Sequence, residues 1–190
     1  SKVYTGVDMS LEAKALCEDI FAMGYQLSPS YSDLFRGDNG QNASVRGEFL
    51  WAIDYDNDNI NSYGGTTYIL SASMASTDIT DSSRPNGQVN GWAGLRVPYE
   101  FVSLYYGVSG QDYRTGDYQT SDKRGEIFYI KGRSESMEGA LYNFMNGWTC
   151  LKFNNIPSGE TNQSYLPQSA TMSYSNVDFP MIRLAEIYLI

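Results

Sequence analysis

Carboxylates and aromatic rings are the side chains with chemical potential in this sequence, because its 190 residues include no histidine. That absence removes Ser-His-Asp and Cys-His catalysis and His-ligated zinc in one step. Cys17 and Cys150 are the only two cysteines, too few for a zinc site or a disulfide framework. They read as small buried hydrophobes, and spacing alone neither pairs them nor keeps them apart. Asp54, Asp56 and Asp58 make a D-x-D-x-D run. An EF-hand calcium loop needs Gly at its sixth position and Glu at its twelfth, and those positions hold Asn59 and Gly65. The run therefore reads as a solvated turn, with a looser oxygen site for calcium as the other reading. A glycosidase needs two carboxyl groups roughly 5–10 Å apart, one with a raised pKa. Asp112, Asp117, Asp122, Glu126, Glu135 and Glu138 are available, yet nothing in their spacing pairs them. Asp122 and Arg124, either side of Lys123, predict a local salt bridge or loop clamp. Gly132 to Gly139 lacks the Lys-Ser/Thr that a phosphate loop requires. No catalytic residue, metal or cofactor is expected.

Aromatic residues are the compositional excess: 16 Tyr, 8 Phe and 3 Trp make 14% of the chain, while charged residues make only 18%. A weakly charged, aromatic surface suits neutral polar ligands such as sugars, whose C–H faces stack on rings. The alternative for any one Tyr is that it anchors a loop to the core. Trp51 falls in a predicted strand and is expected in the core. Trp92, beside Gly91 and Gly94, reads as packing. Ligand contacts tend to lie in loops held by a scaffold. Trp148, Tyr142, Tyr63 and Tyr113 are accordingly the expected ligand-binding residues, with Asn143 and Asn146 close to the first two. One aromatic stack contributes roughly 0.5–1.5 kcal/mol beyond area burial, so a single ring binds weakly. Lys and Arg total 13 against 22 Asp and Glu, a formal net charge of −9. Such a balance does not suit nucleic acid, which needs clustered Lys and Arg, or an anionic membrane surface.

The elements that must hold these residues are unevenly marked. Met9, Ala13, Leu16, Cys17, Ile20 and Phe21 recur at helical spacing. Asp8 or Ser10 can cap that helix, and Gly24 is placed to end it. Residues 28–48 are rich in turn signals. Glu48 to Tyr55 alternates loosely and predicts a strand. Tyr68 to Ala75 is apolar and ambiguous between helix and strand. A second helix is expected from Val97, with Pro98 in its first turn and Gly107 as a stop. Gly125–Lys131 and Gly147–Phe153 are strand candidates. Asp178 followed by Pro180 predicts the start of a helix that is apolar round most of its perimeter, with Arg183 and Glu186 as a surface pair. That apolar run reaches Ile190 with no cap, which predicts a fragment of a longer chain cut within a helix. No run approaches the roughly 18 apolar residues of a spanning helix.

Several stretches together resemble one family. Asp178 to Ile190 (DFPMIRLAEIYLI) is similar to the P-x-x-R-x-A-E-x-x-L segment of the SusD/RagB family of Bacteroidetes nutrient-uptake proteins. Met23 to Asn39, Glu48 to Asp56, Asn90 to Tyr105, Ser121 to Ile130 and Leu151 to Phe153 resemble further family segments, in the family's order. The resemblance implies a mainly α fold: a tetratricopeptide-like helical scaffold with a loop-rich segment carrying a few short strands, incomplete here. Residues 1–27 would end one scaffold unit, 28–177 would be the loop-rich region, and 178–190 would open a later scaffold helix. It also implies a non-enzymatic lipoprotein, anchored at the surface of the outer membrane by a lipid this stretch lacks. Such a protein binds a glycan or other nutrient and delivers it to a TonB-dependent, SusC-like transporter. A glycoside hydrolase or lyase and a helical-repeat protein-interaction module are the alternatives.

Overall fold

A computed structural model describes residues 6–57, 59, 61–74, 86–88, 91–106, 122–130, 146–160 and 174–190. The first helix, α1 (Ser10–Ala22), forms where the periodicity predicts it. Asp8 Oδ1 accepts from the Ser10 backbone N–H at 3.1 Å, and Gly24 follows with a φ of 87°. Its apolar stripe is not covered among the described residues: no residue of α1 is buried, and Leu11 and Leu16 face solvent. Phe21 alone meets a ring, stacking on Tyr188 at 4.5 Å.

The first core is built from a tight turn and a strand. A 3-10 turn (Asp33–Phe35) and the single-turn helix α2 (Ala43–Arg46) bring Leu34, Phe35 and Val45 against Phe49. Asn42 caps α2 by accepting from the Ser44 N–H at 3.1 Å. Phe49 opens β1 (Phe49–Ile53), which pairs antiparallel with β4 (Phe179–Arg183). The register shifts on both sides of Trp51. Such a bulge re-aims a side chain, and Trp51 is 57% exposed rather than in the core.

The β1–β4 pair overturns the helix expected from Asp178. Residues 179–183 are a strand, and helix resumes only for the turn α5 (Leu184–Ile187). A short apolar run is ambiguous between the two states by periodicity, and here cross-strand partners decide it. Pro180 opposes Ala52 in a two-stranded sheet, where an edge position tolerates its missing N–H. Arg183 does not pair with Glu186; its Nη1 donates to the buried Glu48 carboxylate at 2.9 Å. Glu48 also accepts from the Ser28 N–H at 2.7 Å, and its carbonyl accepts from the Leu184 N–H at 2.9 Å.

The ambiguous segment before Ala75 is helical, as α3 (Gly65–Ser73). The helix expected near Pro98 is one turn, α4 (Tyr99–Val102). The two later strand candidates shrink to β2 (Phe128–Tyr129) and β3 (Thr149–Cys150), paired antiparallel after a 3-10 turn at Lys123–Ile127. Around them sits the second core: Val102, Tyr106, Phe128, Ile130 and Trp148. Helix covers 33% and strand 15% of the described residues, in short helices and small antiparallel sheets. The expected mainly α, tetratricopeptide-like scaffold is thereby corrected. Gly, Pro, Asn and Asp interrupt the periodicity too often for paired helices, and among the described residues each α-helix apart from α1 and α3 is a single turn.

Candidate functional site

Helix α3 organises an exposed aromatic cluster. At its start, Gly65 has a φ of 57°, and any Cβ there would meet the Tyr55 ring, so the residue must be glycine. Tyr63 precedes this turn, and Tyr68 lies on the helix's first turn. At its end, the last carbonyls find partners in the segment 92–95. Trp92 N–H donates to Ser71 O at 2.8 Å, Ala93 N–H to Met74 O at 2.8 Å and Leu95 N–H to Ala72 O at 3.0 Å. These bonds satisfy groups a helix end leaves open. The docking forces Ala93 to a φ of 56°, beside Gly94 at 110°.

A fourth ring arrives from far along the chain. Ser175 N–H donates to Thr67 Oγ1 at 2.9 Å, and Thr66 Oγ1 donates to Val177 O at 2.9 Å. Asn155 Nδ2 donates to Tyr174 O at 3.1 Å, and Asn155 Oδ1 accepts from Asn176 N–H at 2.8 Å. This side-chain lacing lays Tyr174 against Tyr63, with ring centroids 5.2 Å apart. Tyr63 and Trp92 lie at 5.8 Å, and Tyr68 and Trp92 at 6.2 Å, all tilted. Tyr63 is 64% exposed, Tyr68 49% and Trp92 41%. The hydrogen bond between the Tyr63 and Tyr174 hydroxyls holds the Tyr174 phenol above its ordinary pKa, so it stays a neutral donor and acceptor near pH 7. Tilted rings with open faces and fixed hydroxyls can stack on the apolar face of a sugar and bond its edge.

Of the expected ligand-binding residues, Tyr63 is in this cluster. Tyr142 and Tyr113 lie outside the described residues. Trp148 is fully buried in the second core, stacked on Tyr106 at 6.0 Å, and offers no ring face to a ligand. Trp92, read from sequence as packing, is instead half-open beside Tyr63. Its glycine neighbours serve the docking onto α3, which the spacing Gly91–Trp92–Gly94 does signal. Tyr68 was hidden by the helix-or-strand ambiguity of its segment. Tyr174 carries no local signal, because buried amides of distant residues place it.

The carboxylates assemble less. Asp54, Asp56 and Asp178 line an open recess of about 520 Å³ with Arg46 and Gly40. Asp56 is engaged in its own turn, accepting from Asn59 Nδ2 at 2.6 Å, and Asp58 lies outside the described residues. Burial raises the Asp178 carboxyl pKa, opposed by the Tyr55 N–H that donates to it at 2.8 Å. Asp122 makes the expected local clamp, accepting from Arg124 Nη2 at 2.6 Å. Among the described residues no group of three acidic, His or Cys side chains is placed to hold a metal. No described helix is long and apolar enough to cross a membrane.

Comparison with known proteins finds one informative likeness. No family model matches the chain. The starch-binding protein SusD of Bacteroides thetaiotaomicron is 25% identical over 219 aligned residues, which cover 98% of this chain. The chain is similar to SusD over nearly all of its own length. It spans 38% of SusD's length, and the likeness bears out the resemblance that the six ordered segments carry.

Proposed function

We propose that this chain belongs to a glycan-binding protein of nutrient uptake, and that Tyr63, Tyr68, Trp92 and Tyr174 are its sugar platform. The observation that carries the proposal is the solvent-exposed ring cluster on a SusD-like chain. Sugars present C–H faces to rings and hydroxyls to polar edges, and the cluster offers both. The full-length protein acts at the outer surface of the outer membrane, held by a lipid anchor. It passes its ligand to a SusC-like TonB-dependent transporter without cleaving it.

Isothermal titration with neutral oligosaccharides, maltooligosaccharides first, tests this reading. Trp92→Ala and Tyr63→Ala each lower affinity roughly two- to tenfold, the size of one lost aromatic stack of about 0.5–1.5 kcal/mol. Tyr63→Ala leaves the melting temperature nearly unchanged, since that ring is largely exposed, while Trp92→Ala, which removes a half-buried ring, lowers it modestly. Absence of binding across a panel of neutral glycans, or release of reducing sugar by the purified protein, contradicts the proposal.

A further inference from the structure

Lys152 lies on rings other than those of the aromatic platform. Its Nζ lies 4.3 Å from the centroid of Phe35 and 5.8 Å from that of Phe153. Among the described residues it makes no ion pair. Arg183 lies over the same Phe35 ring at 5.5 Å, but its charge is met by Glu48. Burial lowers the Lys152 pKa, and the nearby Arg183 lowers it further. A half-buried ammonium held by ring faces alone keeps its strongest hydrogen-bonding capacity in reserve, because rings supply no acceptor lone pairs.

Lys152 opens on a recess of about 280 Å³ that Tyr31, Arg36, Asn154 and the Glu126 carboxylate also line. Arg36 spends Nη2 on the carbonyls of Pro157 and Glu160, both at 3.2 Å, and its buried Nε has no partner among the described residues. Burial raises the Tyr31 phenol pKa, so it remains a protonated donor. The recess is far roomier than a carboxylate alone requires, and Tyr31 gives it an aromatic wall.

We propose that the recess between Tyr31, Arg36 and Lys152 is an anion subsite that takes the carboxylate of an acidic sugar unit. This inference rests on the glycan-binding reading but on different residues. Lys152 Nζ supplies the charge, the Tyr31 hydroxyl a neutral donor, and the Tyr31 ring a face for the sugar. A charge-assisted contact of this kind is worth about tenfold in affinity.

The test is NMR titration of the full chain with glucuronate, glucose and acetate, following the Lys152 side-chain resonances. Glucuronate is expected to shift those resonances and to bind about tenfold tighter than glucose. Lys152→Met should erase that gap, Lys152→Arg should keep most of it, and Trp92→Ala should leave it intact. Equal affinity for glucuronate and glucose in the unsubstituted protein overturns the inference, as does a gap that survives in folded Lys152→Met. Acetate binding as tightly as glucuronate overturns the sugar part. Where Lys152→Met does not fold, unmoved Lys152 resonances in the unsubstituted protein overturn it equally. Neutral maltooligosaccharide binding that depends on Trp92, measured alongside, reports the glycan reading separately.

Discussion

Trp148 and Trp92 exchange the parts their sequence surroundings suggest, and the exchange can be tested residue by residue. Trp148 is fully buried between Tyr106 and the β2–β3 pair. Trp148→Ala is expected to cost about 3–5 kcal/mol in a denaturant melt, through lost burial and the cavity left behind. Ala93 is the strained residue behind Trp92. A left-handed conformation costs an ordinary residue about 1–2 kcal/mol, and a β-branched side chain more. Ala93→Val should therefore lower stability by about 1–2 kcal/mol and weaken glycan binding with it, while Ala93→Gly keeps both; thermal melts and titrations read the two effects. Asp178 gives a pH signature. Its folded-state pKa lies above the unfolded value because burial disfavours the carboxylate. The folded state thus binds the proton more tightly, and this residue's contribution to stability declines as pH rises through its unfolded and then its folded pKa. Asp178→Asn should gain stability relative to the parent between pH 3 and pH 7, compared by urea unfolding at each pH. A difference that does not grow with pH would contradict that assignment.

At the scale of elements, the Glu48–Arg183 pair fixes how β1 meets β4. Both side chains are largely removed from water, with Glu48 at 3% and Arg183 at 24% side-chain exposure. Arg183→Met strands a buried carboxylate and should cost about 3–5 kcal/mol. Adding Glu48→Gln to it should restore part of that loss, which a double-mutant cycle of unfolding free energies measures. Elements with local signals were legible in the sequence: α1 through its period and Gly24 stop, β1 through a loose alternation, and the turn beginning at Pro98. The strand at 179–183 was not, because Pro180 after Asp178 imitates a helix start and the signal that decides otherwise lies in β1. Of the candidate site only Tyr63 was legible, as a loop aromatic; Trp92, beside its glycines, was read as packing. What joins them is the lacing by Thr66, Thr67 and Asn155, and hydroxyls and amides have no periodicity to read.

For the molecule as a whole, a formal charge of −9 and an uncharged ring platform make opposite demands on salt. Surface charges separated by more than about 10 Å are screened at 0.1 M ionic strength. Neutral-glycan affinity should change by less than about twofold between 0.05 and 0.5 M salt, because no ion pair forms on the rings. A steep salt dependence, followed by calorimetry, would mean that charge and not stacking holds the neutral ligand.

The closure of Asn39 on Asp178 has a consequence in time. Asn39 Nδ2 donates to the Leu34 and Asp178 carbonyls, and its Oδ1 accepts from the Asp178 N–H, each at 2.9 Å. That clasp joins residues 139 apart in the chain, and the Glu48–Arg183 pair joins residues 135 apart. Contacts this remote make folding slow, because the entropy of closing a long loop must be met before they form. Tyr174 follows the same late event, so Tyr63 and Trp92 stand without their fourth ring until the clasp shuts. The proposed sugar platform is then among the last parts of the protein to exist during folding, completed only after these remote contacts are in place.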